Sequence, residues 1–183
     1  EIFTTLSHPL AVLDIGVGNA RILKAIAQKL DLWPKIKSYE GIDIAQNCVD
    51  ITEQAIKDLF LEEKAIVELL DAQKIFTLQK YYDLIISTWF TVGNFYPDDF
   101  KFEDYQPGSY VLSQNEKFST IFRHAYNMLH PMWEIVIGSI YIDNDSTRIK
   151  QEDAYRNFGR EIITNEKDSF TATKDGWRSQ RYT

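Results

Sequence analysis

This sequence of 183 residues contains one cysteine, Cys48, and no hydrophobic run that approaches the length of a membrane span. A single cysteine excludes an internal disulfide framework and fits a reducing compartment, so we expect a cytoplasmic protein. A membrane-spanning helix needs about 20 mostly apolar residues, so we expect no membrane partner. No secretory signal is visible, and the start at Glu1 rather than methionine is consistent with a missing upstream segment.

Basic residues are also scarce. The chain has 20 Lys and Arg against 27 Asp and Glu, which gives a net charge of −7. Proteins that bind nucleic acid neutralise phosphates with clustered Lys and Arg, and no basic run occurs here, so we expect no nucleic-acid partner. The length and the 44% of hydrophobic residues predict one domain with a sizeable core, and leave the oligomeric state open.

Glycine is infrequent, but two of the eight glycines stand at an informative place. The run Val12-Leu13-Asp14-Ile15 predicts a buried strand, and Gly16-Val17-Gly18 then turns into a helix pattern. Glycine lacks Cβ, so the backbone there can turn sharply and approach a ligand closely. The N–H groups at the start of the helix face such a turn, as in nucleotide sites. A Gly-x-Gly after a strand is a weak signal by itself, because turns use glycine constantly.

Three further predicted strands, at 39–44, 65–72 and 81–88, support a ligand site. They end in the pairs Asp43-Ile44, Asp71-Ala72 and Ser87-Thr88. A helix pattern lies between the first and second strands, with Leu30 on its inner face. Another follows Asp43 and runs to about Phe60, which also lies on the inner face. The carboxyl ends of parallel strands meet at one edge of a sheet, where α/β folds bind ligands.

The rest of the chain predicts a helix over 118–129 that ends at His130-Pro131, because the residue before proline avoids helical dihedral angles. A fifth strand over 133–142 and a helix over 151–163 follow. Two β-rich runs, 169–173 and 177–183, then flank Asp175-Gly176. Asp-Gly between such runs is typical of a β-hairpin.

Together these elements resemble the class I S-adenosylmethionine-dependent methyltransferases. The family's first motif has an acid followed by alternating glycines, and Asp14, Gly16 and Gly18 stand at those places, with Ala20 where a third glycine is common. The resemblance implies that S-adenosylmethionine is the cofactor. It implies cofactor contacts for Asp14, Gly16, Val17, Gly18, Asp43, Ile44, Asp71, Ala72, Ser87 and Thr88. Within that set, Asp43 would hold the ribose hydroxyls and Asp71-Ala72 would lie beside the adenine.

The resemblance also implies the architecture and the reaction. The fold class is α/β, a Rossmann-like seven-stranded sheet of order 3-2-1-4-5-7-6. The sheet is parallel except for the C-terminal antiparallel hairpin strand, and helices cover both faces. The whole chain, 1–183, would be a single methyltransferase domain. The reaction would move a methyl group to a small-molecule acceptor by in-line displacement, which requires alignment of the acceptor and exclusion of water.

Residues 89–116 form a long connection that is rich in aromatic and acidic residues. Loops of this length in compact domains are often lids or binding loops. We interpret the segment as a cap insertion on the substrate side, with Trp89, Tyr96 and Tyr110 as substrate-binding residues. The alternative is a packed cap whose aromatic side chains form a small core of their own.

No catalytic residue is assigned. The only histidines, His8, His124 and His130, are poor candidates for a general base. Asp143-Asn144 resembles the metal-binding pair of the catechol O-methyltransferases, but the acid that this family places after strand four is absent. We therefore expect no metal, and interpret Asp143-Asn144-Asp145 as a turn.

Two other functions are alternatives. A nicotinamide-dependent oxidoreductase needs Gly-x-Gly-x-x-Gly, but Arg21 occupies the place of the last glycine. Such an enzyme also has no role for an acid after the third strand, where Asp71 stands. A non-catalytic methyltransferase-like module would bind the cofactor or a partner, but the intact cofactor acids argue against it.

Overall fold

The structure, a computed structural model, describes residues 8–88, 91, 95, 115–138, 144–165, 170–174 and 178–180. The chain divides into two compact units, one from Glu1–Thr88 with Ile121–Ile137 and one from Trp89–Thr120 with Gly138–Thr183. The single domain expected over 1–183 therefore stays a prediction. In the part of the chain that the structure describes, no helix is long and apolar enough to cross a bilayer.

The first unit alternates strands and helices. Its elements are β1 (Leu10–Ile15), α1 (Arg21–Ala27), a 3-10 turn (Trp33–Lys35), β2 (Ile36–Asp43), α2 (Gln46–Asp58), β3 (Ala65–Leu69), a 3-10 helix (Ala72–Leu78), β4 (Tyr82–Thr88), most of α3 (Glu116–Asn127) and β5 (Leu129–Gly138). This alternation is the pattern from which parallel sheets are built, because parallel strands need crossover connections.

The central sheet has five strands in the order β3-β2-β1-β4-β5. β1 pairs in parallel with both β2 and β4, and β2 pairs in parallel with β3. β1 is buried along nearly its whole length, as an apolar strand covered on both faces must be. The predicted order of the first five strands is confirmed, and the strand ends of β1, β2, β3 and β4 share one edge.

Two helix ends differ from the sequence-based expectation. The periodic pattern predicts Leu30 and Phe60 on inner faces, but these side chains are 94% and 87% exposed. α1 ends at Ala27, before Leu30. α2 ends at Asp58, and Phe60 adopts φ 56°, so the chain reverses and buries Leu61 instead.

The second unit contains α4 (Asp145–Asn157) and an antiparallel sheet of β6 (Ile162–Thr164), β7 (Phe170–Thr173) and β8 (Arg178–Gln180), in the order β6-β7-β8. The predicted C-terminal antiparallel pairing is thus present. The strands of the described residues form two sheets, of five and of three strands, so the single seven-stranded sheet is confirmed only in its first five strands.

The observed boundaries of α3, β5 and α4 also differ from the predicted ones. His130-Pro131 lies inside β5, which begins at Leu129, four residues before the predicted start. α4 begins at Asp145 rather than 151, because Asn144 is its N-cap and forms a capping box with Thr147. The expected turn at Asp143-Asn144-Asp145 is therefore a helix start in its described part.

Candidate functional site

The glycine turn after β1, residues 16–20, is held by the end of β2. The backbone N–H groups of Gly16 and Val17 both donate to the carbonyl oxygen of Ile42, at 2.9 and 3.0 Å. Gly16 and Gly18 adopt φ 77° and 55°, the left-handed region that favours glycine. Ala20 has φ 61° as well, so the residue at the third glycine place keeps a glycine-like backbone. The predicted turn is therefore present.

Asp43, at the end of β2, contacts this turn directly. One carboxylate oxygen, Oδ2, accepts the N–H of Gly18 at 2.9 Å. The other, Oδ1, accepts the N–H of Ala45 at 3.0 Å, just before α2. A carboxylate has about four lone-pair sites, so each oxygen of Asp43 can accept one more hydrogen bond. The side chain is thus a fixed acceptor pair beside the turn.

Open space lies at Gly18. Apart from Gly18 itself and its two chain neighbours, no atom lies within 4 Å of a Cβ placed there, so this position faces open space. The opposite holds at Gly41 in β2, where a Cβ would lie 3.0 Å from Cγ2 of Val17. Gly41 therefore makes room for the buried side chain of the turn, while Gly18 leaves its outer side free.

Asp14 lies beneath the turn and is only 2% exposed. Its Oδ2 accepts the phenol of Tyr39 at 2.5 Å. Burial raises the pKa of Asp14 to about 6; the Tyr39 hydrogen bond lowers it, the charge of Asp43 raises it, and Arg21 lowers it. Asp14 and Asp43 therefore carry negative charges that repel each other, and the positive charge of Arg21 offsets part of this repulsion at Asp14.

The remaining predicted cofactor residues lie at the same sheet edge. Leu70, after β3, donates its N–H to the carbonyl oxygen of Asp43 at 2.9 Å, which brings the two strand ends together. Asp71 accepts the N–H of Gln73 at 2.9 Å and caps the 3-10 helix that contains Ala72. Ile44 is 70% exposed beside Asp43, which leaves an apolar surface at this edge.

Ser87 and Thr88 complete this edge at the end of β4. Ser87 is fully buried, and its hydroxyl donates to the carbonyl oxygen of Ile15 at 3.2 Å. It therefore ties β4 to β1 directly before the glycine turn. Thr88 is half-buried at the last position of the strand. The structure thus brings the ends of four strands to one edge, and it buries Ser87 rather than leaving its hydroxyl at the surface.

The predicted substrate residues Trp89, Tyr96 and Tyr110 lie outside the described residues, as does Asp143. Within 89–116, Phe95 is 8% exposed, and its carbonyl oxygen accepts the side-chain amide of Asn115 at 2.6 Å. Asn115 also caps α3, since its Oδ1 accepts the N–H of Phe118. The buried Phe95 agrees with the packed-cap interpretation at that position.

Two of the histidines lie at the opposite edge of the central sheet. An open cavity of about 480 Å³ lies at the amino ends of the strands. It is lined by His8, Pro9, Lys37, Asp83, His130 and Trp133. His8 lies 3.9 Å from the Asp83 carboxylate. The third, His124 on α3, packs edge-on against Phe76. None of these positions suits a base at the glycine turn. Among the described residues, no group of three or more metal-ligating side chains occurs.

Sequence reasoning did not identify three residues that support the glycine turn or the acid beneath it. Thr52 on α2 is fully buried and donates its hydroxyl to the carbonyl oxygen of Gly18 at 3.1 Å. A threonine on the apolar stripe of a helix is the signal that could have identified it. Gly41, a glycine inside a strand pattern, signals close backbone approach. Tyr39 was included in a predicted strand, but its hydrogen bond to Asp14 depends on strand register.

No protein-family model matches the chain, and no curated relative matches it. Solved structures do. The CcbJ methyltransferase from Streptomyces caelestis has 17% identity, a TM-score of 0.51 and coverage of 74% of this chain and 45% of its own. The plantazolicin methyltransferase BpumL, in complex with SAH, has 20% identity, a TM-score of 0.51 and coverage of 81% and 43%. An rRNA methylase from Streptococcus thermophilus has 12% identity, a TM-score of 0.51 and coverage of 86% and 73%.

These similarities establish the fold: the chain shares the architecture of methyltransferases. It spans less than half the length of CcbJ and of BpumL. The resemblance inferred from the sequence motifs is thereby confirmed at the level of fold.

Proposed function

We propose that this protein binds S-adenosylmethionine at the glycine turn and transfers its methyl group to a small-molecule acceptor. The observation that carries the proposal is the clustering at one sheet edge of an open glycine turn, an acid that contacts the turn and a second acid beneath it. Gly18 leaves space for a ligand, Asp43 fixes the turn, and Asp14 adds buried negative charge. The neighbour BpumL was solved with SAH, the demethylated cofactor, which supports the same ligand class.

The charge at the site favours this cofactor over a nicotinamide dinucleotide. S-adenosylmethionine carries a sulfonium, an ammonium and a carboxylate group and is positive overall, whereas a dinucleotide carries an anionic pyrophosphate. Asp14 and Asp43 both lie at the turn. The hydrogen bonds described to them come from neutral groups, and Arg21 acts on Asp14 through its charge. An anion at this turn would be repelled by both carboxylates, while a cation would be attracted.

The side chains have separate proposed tasks. The oxygens of Asp43 would accept the ribose hydroxyls with their remaining lone pairs, while they keep the N–H groups of Gly18 and Ala45. Ile44 would pack its exposed side chain against the adenine, and Asp71 would border it. Bound S-adenosylmethionine supplies an electrophilic methyl carbon. The chain would contribute orientation of the acceptor and exclusion of water, for which no covalent intermediate is needed.

The charge of the chain and the composition of residues 89–116 favour a small acceptor. The net charge of −7 disfavours long polyanions. The neighbour BpumL is a plantazolicin methyltransferase, which supports an acceptor other than nucleic acid, whereas another protein of the same fold is an rRNA methylase. The aromatic and acidic residues of 89–116 would suit a neutral or cationic small molecule, with Trp89, Tyr96 and Tyr110 as contacts. Thr88 leads directly into this segment.

Two measurements test the proposal. Calorimetric titration should show binding of S-adenosylhomocysteine and much weaker binding of NADH; tighter NADH binding would replace the proposal with the oxidoreductase. Incubation with methyl-labelled S-adenosylmethionine and metabolite pools should label a small molecule. Cofactor binding without any labelled product would indicate a non-catalytic module, and labelled RNA would change the acceptor class. Removal of residues 98–108 should abolish transfer and largely preserve S-adenosylhomocysteine affinity.

A further inference from the structure

Gly18 is held from both sides by side chains of different elements. Its N–H donates to Oδ2 of Asp43, at the end of β2, at 2.9 Å. Its carbonyl oxygen accepts the hydroxyl of Thr52, on α2, at 3.1 Å. Thr52 is fully buried, so this hydroxyl has no access to solvent as an alternative partner. The two hydrogen bonds therefore fix the peptide planes that flank the Cα atom of Gly18.

This arrangement matters because of the freedom of glycine. A glycine populates positive and negative φ about equally well, so sequence alone does not restrain Gly18 to its φ of 55°. A peptide N–H and C=O in one trans plane point in opposite directions. When Thr52 fixes the Gly18 carbonyl, it also fixes the direction of the Asn19 N–H. The open side of the turn is thus ordered before any ligand arrives.

We propose that Thr52 is a positioning residue that holds the glycine turn in its ligand-binding conformation through the Gly18 carbonyl. The inference rests on the proposed function, since its ligand is the cofactor. Thr52 does not contact the ligand in this account. Its hydroxyl lowers the cost of ordering the turn, and ligand affinity rises accordingly because preorganisation reduces what binding must order.

The test uses S-adenosylhomocysteine as the probe and calorimetry at a temperature well below unfolding. Thr52→Val removes the hydroxyl and keeps the shape, so the dissociation constant should rise by about three- to tenfold. Thr52→Ser keeps the hydroxyl and should bind within about twofold of the unmodified protein. Should the valine variant fail to fold, Thr52→Ala provides a second hydroxyl-free variant with the same expected loss.

Ile56→Val is the matched control. Ile56 lies one turn further along α2, is 5% exposed and belongs to the hydrophobic core, so its truncation lowers the thermal midpoint without removing the Gly18 bond. Its affinity should be unchanged. Equal affinity in Thr52→Val and the unmodified protein would overturn the inference alone, as would a serine variant as weak as the valine variant, or an equal loss in the control. Failure of the unmodified protein to bind S-adenosylhomocysteine would overturn the proposed function, and the inference with it.

Discussion

The phenol of Tyr39 donates to Oδ2 of Asp14 at 2.5 Å, inside the central sheet and beneath the glycine turn. The two residues are diagonal neighbours, because Val12 pairs with Tyr39 and Asp14 pairs with Gly41. Burial raises the pKa of Tyr39 well above its ordinary value, so the phenol keeps its proton and acts as the donor. The phenol of Tyr39 thus stabilises a buried carboxylate, to which the charge of Arg21 also contributes.

Asp14 should make the protein less stable as the pH rises from about 4 to about 7. Its pKa is about 6 in the folded state and 3.8 ordinarily, so the folded state binds the proton more tightly, and its contribution is full below pH 3.8 and lost through pH 6. One pKa unit corresponds to about 1.4 kcal/mol, so the loss is on the order of 3 kcal/mol. Urea unfolding of the unmodified protein and of Asp14→Asn, at about pH 4 and about pH 7, measures this loss. As the pH rises, the unfolding free energy of the unmodified protein should fall relative to that of the variant.

Tyr39→Phe should extend that pH dependence to higher pH. Without the phenol the pKa of Asp14 rises further, since the Tyr39 hydrogen bond lowers it. The stability loss should then extend to higher pH, and the variant should be more destabilised at pH 8 than at pH 5, by about 1 to 3 kcal/mol. In an Asp14→Asn background the extra pH dependence should vanish. If the extra pH dependence persists in the Asp14→Asn background, it arises from a titratable group other than Asp14.

Sequence reasoning identified the glycine turn and the acid at the end of β2, but not the side chains that hold them in place. Gly16, Gly18 and Asp43 could be predicted because neighbouring residues alone identify a glycine turn after a strand and an acid at a strand end. Thr52 and Tyr39 act across elements, and their contacts depend on helix rotation and strand register, which the chain pattern does not determine.

Boundary errors have the same origin. Leu30 fits the apolar period of α1, but the helix ends at Ala27 and leaves Leu30 exposed. His130-Pro131 reads as a helix terminator, yet the chain enters β5 at Leu129, and Met132 within that strand adopts φ 73°. α3 does end before the proline, at Asn127, so the local preference holds, but pairing in the sheet extends β5 over His130-Pro131. The antiparallel C-terminal strands were predictable from Asp-Gly, whereas the sheet that they join was not.

Asp43→Ala should weaken S-adenosylhomocysteine binding by at least about tenfold, because charge-assisted hydrogen bonds contribute about 1.5–3 kcal/mol. The structure adds a second expected effect: the N–H groups of Gly18 and Ala45 lose their acceptors, so the ligand-free protein should also be less stable. Calorimetry and thermal unfolding measure the two effects. Asp43→Asn retains one acceptor oxygen, so its affinity and stability should lie between those of the alanine variant and of the unmodified protein. Unchanged affinity in a folded alanine variant would remove Asp43 from the cofactor site.

Gly41→Ala should disturb the turn from below. The new Cβ would lie 3.0 Å from Cγ2 of Val17, and overpacking of this kind costs about 1–3 kcal/mol. Thermal unfolding should show the loss, and S-adenosylhomocysteine affinity should fall with it. The double variant Gly41→Ala with Val17→Ala removes the clash, so it should be less destabilised than the sum of the single changes. Simple additivity would show that Gly41 does not serve Val17.

Gly18→Val should abolish cofactor binding with a limited loss of stability. A Cβ there meets no protein atom within 4 Å, so the added side chain would occupy the open space rather than the core. The φ of 55° still makes a non-glycine residue unfavourable, at about 1–2 kcal/mol. The thermal midpoint should therefore fall by several degrees, while calorimetry detects no S-adenosylhomocysteine binding. Gly18→Ala carries the backbone penalty with a smaller side chain, so it should lose a similar amount of stability and retain part of the affinity. A valine variant that unfolds but binds normally per folded molecule would mean that Gly18 serves only the architecture of the turn.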